Sequence, residues 1–225
     1  MLFKKTSLLF FLFITLYING LSQNSSLKYL ALGDSYTIGE SVDEDKRWPV
    51  QLAEALNKSG FSVADPKIIA KTGWTTDELR LAIKEQNPEN DYALVSLLIG
   101  VNNQYRGYAI DQYKKEFKEL LEQAISFAKS DPKNVFVVSI PNYGVTPFGM
   151  EKGEDKIRKE LLIYDFIADS ISSEYNIPFI NITSVSEQAK TDNSYIANDQ
   201  LHPSGKQYKE WVEIIEPIVK KILKD

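Results

Sequence analysis

One histidine, His202, stands in this chain of 225 residues, so any imidazole chemistry must run through it. Asp199 precedes it by three residues, a spacing from which a turn brings the carboxylate to the ring Nδ1. A base oriented in this way serves a hydroxyl nucleophile, which needs it within hydrogen-bond reach. Ser35, in the run Gly33-Asp34-Ser35-Tyr36, is the candidate nucleophile. Acyl transfer also requires donors aimed at a developing oxyanion. The backbone amides of Ser35 and Gly73 and the side-chain amide of Asn102 are candidates to converge there. Each residue also has a plainer reading. Gly33-Asp34-Ser35 can be a strand-ending turn, and Gly73 a tight turn. Asn102-Asn103 can cap a loop, and Asp199 to His202 can be the entry to a helix with Ser204 as its N-cap.

The elements that must position these residues follow from the apolar pattern. Continuous apolar runs at Leu27–Leu32, Ile68–Ala70, Ala93–Ile99, Val135–Ile140 and Pro178–Asn181 read as buried strands. Between them, helical periodicity runs from Trp48 to Leu56, from Thr75-Thr76 to about Gln86, from Asp111 to Lys129 and from about Glu154 to Glu174. A last helix runs from about Ser204 to Leu223, with a bend at Pro217. Strand and helix alternate throughout, which predicts parallel strands joined by right-handed crossovers with helices on both faces. Sites in such sheets form beyond the carboxyl ends of the strands. Those ends carry Gly33-Asp34-Ser35-Tyr36, Lys71-Thr72-Gly73-Trp74, Gly100-Val101-Asn102-Asn103 and Pro141-Asn142-Tyr143-Gly144, with Asp199-Gln200-Leu201-His202 just before the final helix.

In that order and placement, the first three of these segments and the last resemble the four blocks of the SGNH/GDSL hydrolase family, from about Lys28 to the last helix. Ser35, Gly73, Asn102 and His202 occupy the four defining positions. Two positions depart from the pattern: Tyr36 stands where leucine is usual, and Asn103 stands where many members have aspartate. The second departure puts in doubt the hydrogen bonds that the aspartate supplies. The resemblance implies a three-layer α/β/α sandwich around a five-stranded parallel sheet, of the flavodoxin-like type. It implies a triad of Ser35, His202 and Asp199, an oxyanion hole of the Ser35 and Gly73 amides with Asn102, and no metal or organic cofactor. Tyr36, Ile38, Trp74, Tyr105, Tyr143 and Phe148 lie in or near the strand-end loops and are candidates to line the substrate pocket. Pro141–Gly153, with two prolines and three glycines, is expected to shape the cleft.

Composition narrows the remaining possibilities. At 43% hydrophobic and 25% charged, the chain is ordinary for a globular protein, and its length suits one domain. Lys4 and Lys5, the apolar stretch from Leu8 to Ile18, and the small residues Gly20 and Ser22 read as a signal peptide over residues 1–22. The expectation is therefore export to the periplasm or the exterior, a single domain over residues 23–225, and no membrane span after processing. Loss of Lys4 and Lys5 takes the net charge from −5 to −7, which gives no bulk attraction for nucleic acid. The absence of cysteine excludes disulfides and thiolate chemistry. Oligomeric state is not encoded in these patterns. The favoured function is an exported esterase acting on simple or lipid-like esters, in the manner of a lysophospholipase or carboxylesterase. A carbohydrate O-acetylesterase uses the same residues, and a non-catalytic binding module on the same fold is the remote alternative.

Overall fold

Five apolar runs become one parallel sheet in the computed structural model, which describes residues 26–224. The leader expected over residues 1–22 lies outside the described residues. The strands are β1 (Tyr29–Gly33), β2 (Lys67–Ala70), β3 (Leu94–Leu98), β4 (Val135–Val138) and β5 (Phe179–Ile180), in the order β2-β1-β3-β4-β5. Every residue of β1, β3 and β4 is buried, because helices cover both faces of the sheet. The one polar residue in β3, Ser96, shares a hydrogen bond of 2.9 Å with the Tyr29 hydroxyl, so the buried pair satisfies itself.

The helices are α1 (Ser35–Ile38), α2 (Trp48–Lys58), α3 (Thr76–Gln86), α4 (Val101–Tyr105), α5 (Ile110–Phe127), α6 (Pro147–Met150), α7 (Glu154–Glu174), α8 (Thr183–Ser186) and α9 (Gly205–Ile222). One outer layer holds α3, α5 and α7. The other pairs α2 with α9, the two helices lying side by side. Trp48 at the start of α2 meets the β4 residue Phe136 edge-on, with ring centroids 6.3 Å apart. Pro217 lies inside α9, which continues through it.

The chain moves outward from β1 to β2, then crosses back past β1 to β3, its other neighbour. Brought side by side in register, Gly33 of β1 faces Leu98 of β3. This reversal leaves a crevice beyond the strand ends, between the loops that follow β1 and β3. Glycine is required at position 33, where a Cβ would lie 2.2 Å from Thr37 Oγ1 and 2.5 Å from the Leu98 carbonyl oxygen.

Candidate active site

The loop after β1 turns at once into α1. Asp34 caps that turn, its side chain accepting from the Tyr36 amide at 3.0 Å. Ser35 is therefore the first residue of a helical turn, with its amide facing outward. Its carbonyl accepts from the amides of both Gly39 and Glu40 at 3.0 Å, so the following residues fold back tightly onto it. The second contributing loop carries Gly73 at φ +87°, a left-handed conformation that suits glycine, and Arg106 Nη2 donates to the Gly73 carbonyl at 2.6 Å. Among the described residues, neither the Ser35 amide nor the Gly73 amide donates to a protein acceptor.

Asn102 lies on α4, directly after β3. Its Nδ2 donates to the Trp74 carbonyl at 2.9 Å, which uses one of two amide hydrogens and leaves the second. Asn103 is fully buried and points the other way, into the seam between α4 and α3. Its Oδ1 accepts from the Thr76 amide at 3.1 Å, and its Nδ2 donates to Thr76 Oγ1 at 2.7 Å. Asn103 thus makes two hydrogen bonds to Thr76 at this position.

The fourth contributor is the turn before α9. Ala197 N donates to the His202 carbonyl at 2.8 Å, and Gln200 takes a left-handed φ of 62°. Asp199 Oδ1 accepts from the amides of Leu201 and His202 at 3.0 and 2.9 Å, while Oδ2 lies 2.6 Å from His202 Nδ1. An ionised carboxylate only accepts, so Nδ1 carries the proton and Nε2 is left as the basic nitrogen. Partial burial would raise the Asp199 carboxyl. The Ser41 hydroxyl, the His202 amide and ring and the Leu201 amide outweigh it and hold the group at about 2. Ser204 caps α9 through Gln207 N, so helix entry and the Asp–His pair share one segment.

Ser35, Tyr36, Gly73, Asn102, Tyr105, Tyr143, Phe148 and His202 line a single cleft of about 170 Å³. Thr72, Val101 and Leu201 line it too; the sequence reading does not single them out, although each stands one position from a motif residue. No hydrogen bond joins the Ser35 hydroxyl to the His202 ring among the described residues, although both face this cleft; such contacts are often long before substrate binds. Tyr36 is buried, and its ring meets His202 edge-on at 5.7 Å and Trp211 at 6.5 Å. An aromatic here forms a wall for the imidazole that leucine would fill less completely. Tyr105 and Phe148 close the other side, their centroids 6.2 Å apart, with Lys152 Nζ 4.9 Å from the Phe148 ring.

Two expected pocket residues do not line the cleft. Trp74 contributes its carbonyl to Asn102, while its side chain packs against the core. Ile38, the last residue of α1, is half-buried and is not among the residues that line the cleft. Among the described residues no group of three or more His, Asp or Glu side chains is placed to hold a metal. No helix among them is long and apolar enough to cross a membrane.

Comparison with known proteins agrees with this fold. An arylesterase of Vibrio mimicus is 30% identical over 128 residues, which cover 55% of this chain and 60% of that protein, so the chain spans about 60% of the length of this curated relative. Among solved structures, TesA superposes with a TM-score of 0.65 at 17% identity, covering 87% of this chain and 99% of the other. The psychrotrophic esterase EstA from Pseudoalteromonas sp. gives 0.63 at 16% identity, with 88% and 99% covered. A variant of Axe2, an acetyl xylan esterase from Geobacillus stearothermophilus, gives 0.59 at 18% identity, with 88% and 94% covered. At these identities the likeness is one of fold. The sequence profile of the GDSL-like Lipase/Acylhydrolase family matches residues 31–210. A match that runs from β1 into α9 makes this chain a member of the GDSL-like lipase/acylhydrolase family.

Proposed function

We propose that the chain is a carboxylic ester hydrolase working through an acyl-enzyme. Ser35 Oγ attacks the ester carbonyl as His202 Nε2 takes its proton, and Asp199 stabilises the imidazolium. The Ser35 and Gly73 amides and the second Asn102 hydrogen hold the oxyanion. His202 then returns the proton to the departing alcohol, and water repeats the sequence to release the acid. The observation that carries this reading is the 2.6 Å Asp199–His202 contact at the edge of a cleft that Ser35, Gly73 and Asn102 also line.

The size of the cleft supports short acyl groups. Its 170 Å³ falls below the ~300 Å³ at which pockets for drug-sized ligands begin, and the surrounding rings are apolar. The relative named as an arylesterase supports aryl esters among the substrates. A carbohydrate O-acetylesterase is the second reading, favoured by Tyr105, half-exposed at the rim where a sugar ring can stack. Residues 1–22 complete the proposal as an export leader ahead of one hydrolase domain, tested by sequencing the N-terminus of the exported protein. Turnover of p-nitrophenyl acetate, butyrate and octanoate, beside acetylated oligosaccharides, separates the substrate readings: a maximum at acetate or butyrate is expected. Ser35→Ala and His202→Ala should each lower kcat by about a thousandfold or more. Wild-type turnover in either variant overturns the assignment, and an inert wild type that also fails to react with a fluorophosphonate revives the binding-module reading.

A further inference from the structure

Ser41 reaches Asp199 across 158 positions of sequence, its Oγ 2.6 Å from Oδ2. This is the same oxygen that faces His202 Nδ1. With Oδ1 taken by the Leu201 and His202 amides, the carboxylate accepts four hydrogen bonds, and only the one from Ser41 comes from outside its own turn. Among the described residues it is also the one side-chain hydrogen bond that ties residues 34–42 to residues 197–203.

The backbone at Ser41 makes this contact costly to keep for structural reasons alone. Its φ is +65°, in the left-handed region that a residue with a Cβ seldom adopts and that glycine adopts freely. The residue follows directly on the Gly39 and Glu40 amides, which close onto the Ser35 carbonyl. A hydroxyl at this place is therefore held at a fixed offset from the nucleophile.

Resting on the hydrolase reading above, we infer that Ser41 is a positioning residue, a fourth member of the Ser35–His202–Asp199 chain. Its hydroxyl holds Asp199 Oδ2, and through it the imidazole, in register with the loop that carries Ser35. Two donors on one oxygen fix the plane of the carboxylate, and the plane of the carboxylate fixes the ring. Among the groups that lower the Asp199 carboxyl the Ser41 hydroxyl ranks first, which accords with a charge-assisted bond. Ser41 is solvent-exposed, so water competes for its place, and the inference requires that a mobile water does the job less well.

Ser41→Gly tests this, since it removes the hydroxyl while suiting the backbone. The expected result is kcat toward p-nitrophenyl acetate lowered about tenfold, with KM unchanged and Tm equal to or above wild type. Ser41→Asn, which tolerates the left-handed conformation and carries an N–H donor, should recover part of the loss. An untagged protein has one histidine and so one Nδ1–H proton resonance, which should shift or broaden in Ser41→Gly. An active wild type beside a Ser41→Gly variant with kcat within twofold and an unmoved resonance overturns the inference alone. So does a loss of kcat matched by a fall in Tm. A wild type inert toward esters overturns the hydrolase reading, and the role of Ser41 with it.

Discussion

Asp34 and Asp165 are buried carboxyl groups met by backbone amides: Tyr36 N at 3.0 Å on Asp34, with the amides of Asp34 itself and Gly100 acting in the same sense, and Ile140 N at 2.9 Å on Asp165. Burial dominates over those amides and lifts both groups to about 7. In the unfolded chain they titrate near 3.8. Between these limits the native state holds protons that the unfolded state has released, so stability falls as pH rises from about 4 to 7. Asp199, held at about 2, works in the opposite direction, adding stability as pH rises from about 2 to 4. Urea midpoints should therefore be higher at pH 5 than at pH 8. Asp165→Asn keeps an oxygen for the Ile140 amide and removes the charge, so it should flatten this dependence by up to ~1.4 kcal/mol per pH unit. An unaltered slope in the variant would show that Asp165 is ionised without penalty. Ser41 marks the limit of what residue types disclose. Nothing in its local sequence distinguishes it from any loop serine, because its partner is distant in the chain and the bond exists only once both turns have formed.

At the level of elements, the seam between α3 and α4 depends on a chain of polar groups. Thr76 Oγ1 donates to Glu116 on α5, so its lone pair is free for the Asn103 amide hydrogen. An aspartate at 103 would supply no hydrogen and would set a second carboxylate close to buried Glu116. Asn103→Asp should lower stability by ~1–3 kcal/mol, and Glu116→Gln in the same chain should restore part of it. Equal effects of Asn103→Asp in both backgrounds, read from urea unfolding, would separate the two positions. The long elements could be read from the sequence because burial on both faces leaves unbroken apolar runs, and the expected α7, Glu154–Glu174, matches its observed bounds. Strand ends shifted by a residue or two, as at β3, where Ala93 and Ile99 fall outside the ladder. The short helices α1, α4, α6 and α8 could not be read. Four or five residues hold too little periodicity, and local caps such as Asp34 and Thr146 decide α1 and α6. The four blocks of the site were legible because each directly follows a strand or precedes a helix, whereas Thr72, Val101 and Leu201 join the cleft through neighbours rather than through any pattern of their own.

Over the whole molecule, the last helix closes against one of the first. Trp211 on α9 is completely buried, stacked edge-on with Tyr208 at 4.9 Å and facing Tyr36 beside the imidazole. Trp211→Ala should therefore cost ~3–5 kcal/mol in urea unfolding, whereas Ser35→Ala should leave the midpoint nearly unchanged. A smaller loss at Trp211 would mean that α9 docks mainly through its other contacts. The Ser41–Asp199 separation has a temporal counterpart. At ribosomal speeds of about 5–20 residues per second, those 158 positions take on the order of 8–30 s to add. Over about that interval Ser35 has been made and His202 has not, so on the proposed roles an unfinished polypeptide carries the nucleophile without its base. Under the proposed mechanism, hydrolysis begins only once both segments have been made.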